Sequence, residues 1–169
     1  ALRELGEEYP FGDVLEQELI NKDWYDHPEE CRYLLWSYEE HLAKSLGGGS
    51  TVNEQDKGKV WSLRAAESIE HVFPQNHSAA AWRDKMCKAD GRPEAPDAHV
   101  GRIGNLLLLP VQMNKEAQDR AFDKKKKIYR KHNLRMIEKV RDLPDWTLAQ
   151  IEAREKEILT WAKNRWSDL

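Results

Sequence analysis

Ser68-Ile69-Glu70-His71-Val72-Phe73 and Gly104-Asn105-Leu106-Leu107-Leu108-Leu109-Pro110 are the two stretches on which the fold turns. The first is rich in β-favouring residues and ends at Pro74, which predicts a short strand or extended segment. The second opens on a Gly-Asn turn and runs into four leucines closed by proline. That run is too short for an independent helix and fits a buried strand. Between them, Ala79 to Lys88 has Trp82 and Met86 four residues apart and predicts a helix. Gly91 to Asp97, with two prolines, predicts a loop.

Helical texture lies on both sides of this middle. Val14, Leu15, Leu19 and Ile20 recur at helical spacing over residues 12–22. Pro28 suits a first helical turn, followed by the stripe Cys31, Leu34, Leu35, Tyr38 and Leu42. Gly47-Gly48-Gly49-Ser50 predicts the stop, and a polar loop follows to Gly58. Trp61 to Ala66 is compatible with a helix. After the second extended segment the remainder predicts helices. Phe122, Ile128 and Tyr129 turn inward there, while Lys124, Lys127 and Lys131 turn outward. Thr147-Leu148-Ala149-Gln150 has the form of a capping box, and Leu148, Ile151, Ile158, Ala162 and Trp166 continue one face. The expected class is α+β and mostly helical, with residues 1–59 as a helical annex and loop and residues 60–169 as the chemical domain.

Composition narrows the function. With 169 residues, 40% of them hydrophobic, and seven Trp, the chain can fill a core. No apolar run approaches the roughly 18 residues of a membrane span. Ala1-Leu2-Arg3-Glu4 has neither an initiator Met nor a signal peptide, so a longer parent polypeptide is expected. Cys31 and Cys87 form no CxxC pair and read as buried thiols of a reducing cytoplasm. A net charge of −3 does not advertise nucleic-acid binding, which then requires local positive charge or another domain.

Glu70-His71 places a carboxylate beside an imidazole. Histidine titrates near working pH and suits a general base. A carboxylate and an amide suit a hard cation that keeps several waters. In extended backbone the two side chains point to opposite faces, so a twist or bulge is needed for both to reach one substrate. Asn114, after the second extended segment, is the candidate to complete the site. Each of these residues alone has an ordinary structural alternative, such as a surface pair, a cap or a turn.

Taken in order, Ile69-Glu70-His71-Val72-Phe73-Pro74-Gln75, Arg102 to Leu109, Asn114 and Phe122-Asp123-Lys124-Lys125 resemble the C-terminal HNH (His-Me finger) domain of GmrSD-type modification-dependent restriction and phage-defence proteins. The acidic-His-x-x-Pro-Gln piece is also similar to the HNH domain of CRISPR RNA-guided nucleases. The resemblance covers about residues 60 to 131. It implies a ββα-metal finger embedded in helices and a DNA endonuclease or nickase acting on foreign or modified DNA. It further implies His71 as general base, and Glu70 and Asn114 as ligands of Mg²⁺ or Mn²⁺. Asn105 would be a middle Asn whose side chain holds the loop and the His71 backbone. A nucleotide-hydrolysing, modification-sensing partner domain is implied as well. Where the family pattern expects a second Asn, this chain has Asp119, whose role is left open between ligand and bystander. His77 and His99 are further candidates, for substrate contact and for orienting the site. Arg120, Lys124, Lys127 and Lys131 share a helical face and form a candidate phosphate track, set against the plain reading of a solvated helix. The rival functions are an inactive helical interaction module and an RNA-cleaving toxin.

Overall fold

The computed structural model describes residues 20, 22–45, 67–88 and 90–166. The expected loop through Gly58 and the segment Trp61 to Ala66 lie outside the described residues, as does nearly all of the helix expected over 12–22.

A 3₁₀ turn, Trp24–Asp26, leads into helix α1, Pro28–Ser45. Pro28 opens α1, where its missing N–H costs no helical bond, and the expected stripe from Cys31 to Leu42 is buried. Strand β1, Glu67–His71, pairs antiparallel with β2, Leu106–Pro110, with His71 opposite Leu106 and Glu67 opposite Pro110. All four leucines of β2 are fully buried. Such a run, with no polar alternation, needs cover on both faces, and α1 packs on β2 together with two later helices. A short helix α2, Asp97–Val100, and a 3₁₀ turn, Ile103–Asn105, precede β2. Four helices follow it: α3, Val111–Ala117; α4, Phe122–Tyr129; α5, Arg135–Arg141; and α6, Leu148–Arg165. The molecule is α+β and mostly helical, with β1, β2 and α3 forming a ββα unit at its centre.

The helix ends are tied across the structure. Gln150 accepts from the Thr147 backbone N–H at 3.0 Å, completing the capping box of α6. At the start of α5, Leu134 offers no capping side chain. Glu39 of α1 supplies one from outside, accepting from Arg135 N at 2.7 Å and Met136 N at 2.9 Å. Burial raises the Glu39 carboxyl above its usual range, and the two N–H donors oppose that rise.

The helix expected over Ala79 to Lys88 is absent. Residues 80–84 are turns, and Cys87 bridges to Pro93. Asp84 has φ 64°, which a helix cannot carry. Trp82 and Met86 are nevertheless both buried. The Trp82 indole N–H donates to the Asp119 carbonyl at 3.0 Å, a tertiary bond that local spacing does not reveal. Cys31 is buried, with its thiol pushed up to about 12 by burial, whereas Cys87 is only half-buried.

Candidate active site

The ββα unit brings Glu70, His71 and Asn114 to one cleft of about 440 Å³, lined also by Pro74, Gln75, Asn76, Gln118 and Asp119. No bulge interrupts the pairing of β1, so Glu70 and His71 do leave the strand on opposite sides. They reach the same cleft because it opens across the strand's end, where the chain bends at Val72.

His71 is 8% exposed, and its ring meets Tyr25 edge-on, with centroids 4.4 Å apart and planes at 60°. The Trp24–Asp26 turn that carries Tyr25 is docked by the Trp24 N–H donating to the Gly101 carbonyl at 3.0 Å. A Cβ at Gly101 would overlap the Asp23 carboxylate, which would have to move aside. The imidazole is pushed down to about 4, chiefly by burial and then by the Lys125 ammonium, with Asp23 opposing. It is neutral at neutral pH. Its Nε2 is buried and has no hydrogen-bond partner.

Glu70, 2% exposed, turns toward α4. Its Oε1 accepts from Lys125 Nζ at 2.8 Å and from Tyr129 Oη at 2.8 Å, and Lys125 Nζ also donates to the His71 carbonyl at 2.6 Å. Burial raises the Glu70 carboxyl and lowers the Lys125 ammonium, while their mutual attraction works against both shifts.

Asn114 Nδ2 donates to Ser68 Oγ at 2.8 Å and to the Ile69 carbonyl at 2.9 Å. A carbonyl only accepts, so the amide nitrogen must be the atom facing it. Oδ1 is thereby turned away from β1 and makes no hydrogen bond among the described residues. Asp119 Oδ2 accepts from Asn76 Nδ2 at 3.2 Å on the cleft rim. The preceding Gln118 has φ 39°, a left-handed value that costs a non-glycine residue and holds this corner in an uncommon shape.

The family model for the C-terminal domain of the GmrSD restriction endonucleases matches residues 9–161. The chain belongs to that family. No curated protein and no solved structure matches it. Membership gives this GmrSD-type domain a nuclease role of the restriction-endonuclease kind. Among the described residues no helix is long and apolar enough to cross a membrane.

The other candidates lie outside the cleft lining. Asn105 is fully buried behind it. Its Oδ1 accepts from Phe73 N at 2.8 Å and Trp146 Nε1 at 3.1 Å, and its Nδ2 donates to the carbonyls of Phe73 at 2.8 Å and Val100 at 2.9 Å. His77 stacks on Phe73 with centroids 5.1 Å apart and pairs with Asp97 at 2.8 Å. His99 is buried, and its Nδ1 accepts from Arg102, whose guanidinium also grips Glu155 of α6. Lys124 and Lys127 are exposed on α4, whereas Arg120 and Lys131 flank that helix and converge on Glu116.

The sequence reading assigned no site role to Tyr25, Lys125 or Tyr129, although it turned Tyr129 toward the core. Lys125 and Tyr129 carried a signal nonetheless. Counting by three and four from Phe122 reaches positions 125 and 129, on the core face of α4. Nothing local marks Tyr25 as a neighbour of His71.

Proposed function

We propose that this domain is a metal-dependent HNH-type nuclease that hydrolyses phosphodiester bonds of DNA, with His71 as general base. The observation that carries this is the convergence of a neutral imidazole, a carboxylate and an unpaired amide oxygen on one cleft. Nε2 is buried without a partner, and we assign Nδ1 to the cleft side. The neutral tautomer with hydrogen on Nε2 gives Nδ1 the free lone pair. Nδ1 takes a proton from water as the water oxygen bonds to phosphorus and the bond to the leaving sugar oxygen breaks.

Glu70 Oε2 and Asn114 Oδ1 are the protein oxygens available to a hard cation. Among the described residues no group of three or more His, Cys, Asp or Glu is arranged to hold a metal. A site with one carboxylate and one amide therefore suits Mg²⁺ or Mn²⁺, which retain water, rather than a closed zinc cage. A bound cation of this kind would offset the charge that develops on the phosphate and the leaving oxygen. Asp119 sits on the rim with one carboxylate oxygen engaged by Asn76, and we assign it the outer edge of the same cleft. Foreign or modified DNA met in the cytoplasm is the proposed target, selected by a nucleotide-hydrolysing partner domain.

A plasmid-nicking assay tests the proposal. Mg²⁺ or Mn²⁺ supports cleavage, chelation stops it, and His71→Ala lowers the rate by about 10² to 10⁴-fold with the fold intact. Cleavage by His71→Ala above a tenth of the wild-type rate would remove the residue from the mechanism. An RNA substrate run in parallel decides the polymer.

A further inference from the structure

Glu70 is held from its far side. Lys125 and Tyr129 stand one helical turn apart on α4, so both side chains leave the same face. Both are fully buried, and both donate to the one oxygen Oε1. Lys125 also reaches the His71 carbonyl, which fixes the Glu70-His71 pair through its backbone. With two donors on Oε1, only Oε2 of this carboxylate is free to bind anything in the cleft.

We infer that Lys125 and Tyr129 are positioning residues that set the cation selectivity of the cleft by holding Glu70 to a single binding oxygen. This inference rests on the cation site proposed above. Ca²⁺ takes about 6 to 8 oxygens in loose geometry and commonly draws both oxygens of a carboxylate. Mg²⁺, by contrast, is satisfied by octahedral coordination with one oxygen from each of one or two carboxylates and water elsewhere. Engaging Oε1 therefore penalises Ca²⁺ and leaves Mg²⁺ or Mn²⁺ nearly untouched. The Lys125 ammonium adds a second effect, since its charge opposes any dication approaching the same carboxylate. Cation binding is thereby kept weak.

Calorimetric titration of the purified chain with Mn²⁺ and with Ca²⁺, without nucleic acid, reads this directly. Circular dichroism reports whether each variant is folded. Tyr129→Phe keeps the ring and returns one lone pair to Oε1, so affinity for Ca²⁺ relative to Mn²⁺ should rise about tenfold. In Lys125→Met both cations should bind more tightly, with Ca²⁺ gaining more. That buried substitution removes the partner of a buried carboxylate, so if it does not fold, Tyr129→Phe alone decides. An unchanged ratio of Ca²⁺ to Mn²⁺ affinity in Tyr129→Phe overturns the inference. Asn114→Ala separates this failure from failure of the site itself. If Asn114→Ala binds Mn²⁺ as the wild type does, or if the wild type binds none, the cation site is wrong and the selectivity goes with it.

Discussion

Asn105 and Asn114 are both carboxamides that bond to the backbone around β1, yet their oxygens have different surroundings. All four side-chain hydrogen bonds of Asn105 are made inside the protein, two of them to Phe73 at the turn just past His71. Replacing it by Ala strands Phe73 N, Phe73 O, Val100 O and Trp146 Nε1 in the core. Each buried group left unpaired costs about 1 to 3 kcal/mol. Allowing for relaxation, Asn105→Ala should cost about 3 to 5 kcal/mol, or roughly 10 °C in melting temperature. Asn114 spends only its nitrogen on the fold. Asn114→Ala should cost the apo protein about 1 kcal/mol, and it should raise the Mn²⁺ concentration needed for cleavage about tenfold. Thermal melts and metal titrations of the two variants check this. Equal melting shifts with equal metal dependence would abolish the distinction between a brace and a ligand. Both asparagines stood out in the sequence through their order after Glu70-His71, since each alone reads as an ordinary cap or turn residue. Which one keeps a free oxygen depends on Ser68 and Phe73, more than thirty positions away.

At the level of elements, the 3₁₀ turn Ile103–Asn105 is pressed against α6. A Cβ at Gly104 would overlap the Ile151 carbonyl oxygen and lie 3.0 Å from Glu155 Cβ. Here glycine answers to close approach of a helix backbone. Arg154 closes the same contact, with Nη1 donating to the Ile103 carbonyl at 3.0 Å and to the Gly104 carbonyl at 2.8 Å. Gly104→Ala must push α6 away from the turn that carries Asn105, and overpacking of this kind costs about 1 to 3 kcal/mol. Chemical denaturation should show a lower midpoint for Gly104→Ala, with cleavage falling alongside it. An unchanged midpoint would mean that the turn and α6 are not in firm contact. The strands, the long helices and the order of the ββα unit were legible because each rests on local periodicity or on a proline boundary. The charged core was hidden for the opposite reason. Lys125, Arg154 and Glu155 occupy inward positions of helices whose apolar stripes were read correctly, but their buried partners come from β1 and from residues 102–104. The stripe itself held the warning, since stepping from Ile151 toward Ile158 passes through 154 and 155. The absent helix at 79–88 failed likewise, because a long-range bond from Trp82 and the Cys87–Pro93 bridge prevail over spacing.

Across the whole molecule, a net charge of −3 meets a polyanionic substrate. The basic surface on and beside α4 is smaller than the lysine run suggests. Lys125 is buried, Lys131 is held 3.0 Å from Glu116, and Arg120 donates to the Glu116 carbonyl at 2.7 Å. Lys124 lies 3.3 Å from Asp123, an exposed pair that water and salt screen. Lys127 is exposed, with no ion pair among the described residues. Such a face engages about two to four phosphates, against the 6 to 10 that give a steep salt response. The domain alone should therefore bind DNA weakly, with a shallow dependence on salt, while cutting competently at low ionic strength. Replacing Lys124 and Lys127 together by Ala should flatten the slope of log affinity against log salt by about one to two units. That loss should be independent of sequence, because phosphate contacts carry none of it. Low-salt cleavage should survive in the double variant, since His71, Glu70 and Asn114 are untouched. Binding titrations between low and moderate salt measure the slope, and nicking at the lowest salt measures the chemistry. A slope equal to that of the wild type would return Lys124 and Lys127 to the role of a solvated helix face. The burden of holding DNA would then fall on the proposed partner domain, and adding that domain in cis should restore a steep slope even in the double variant.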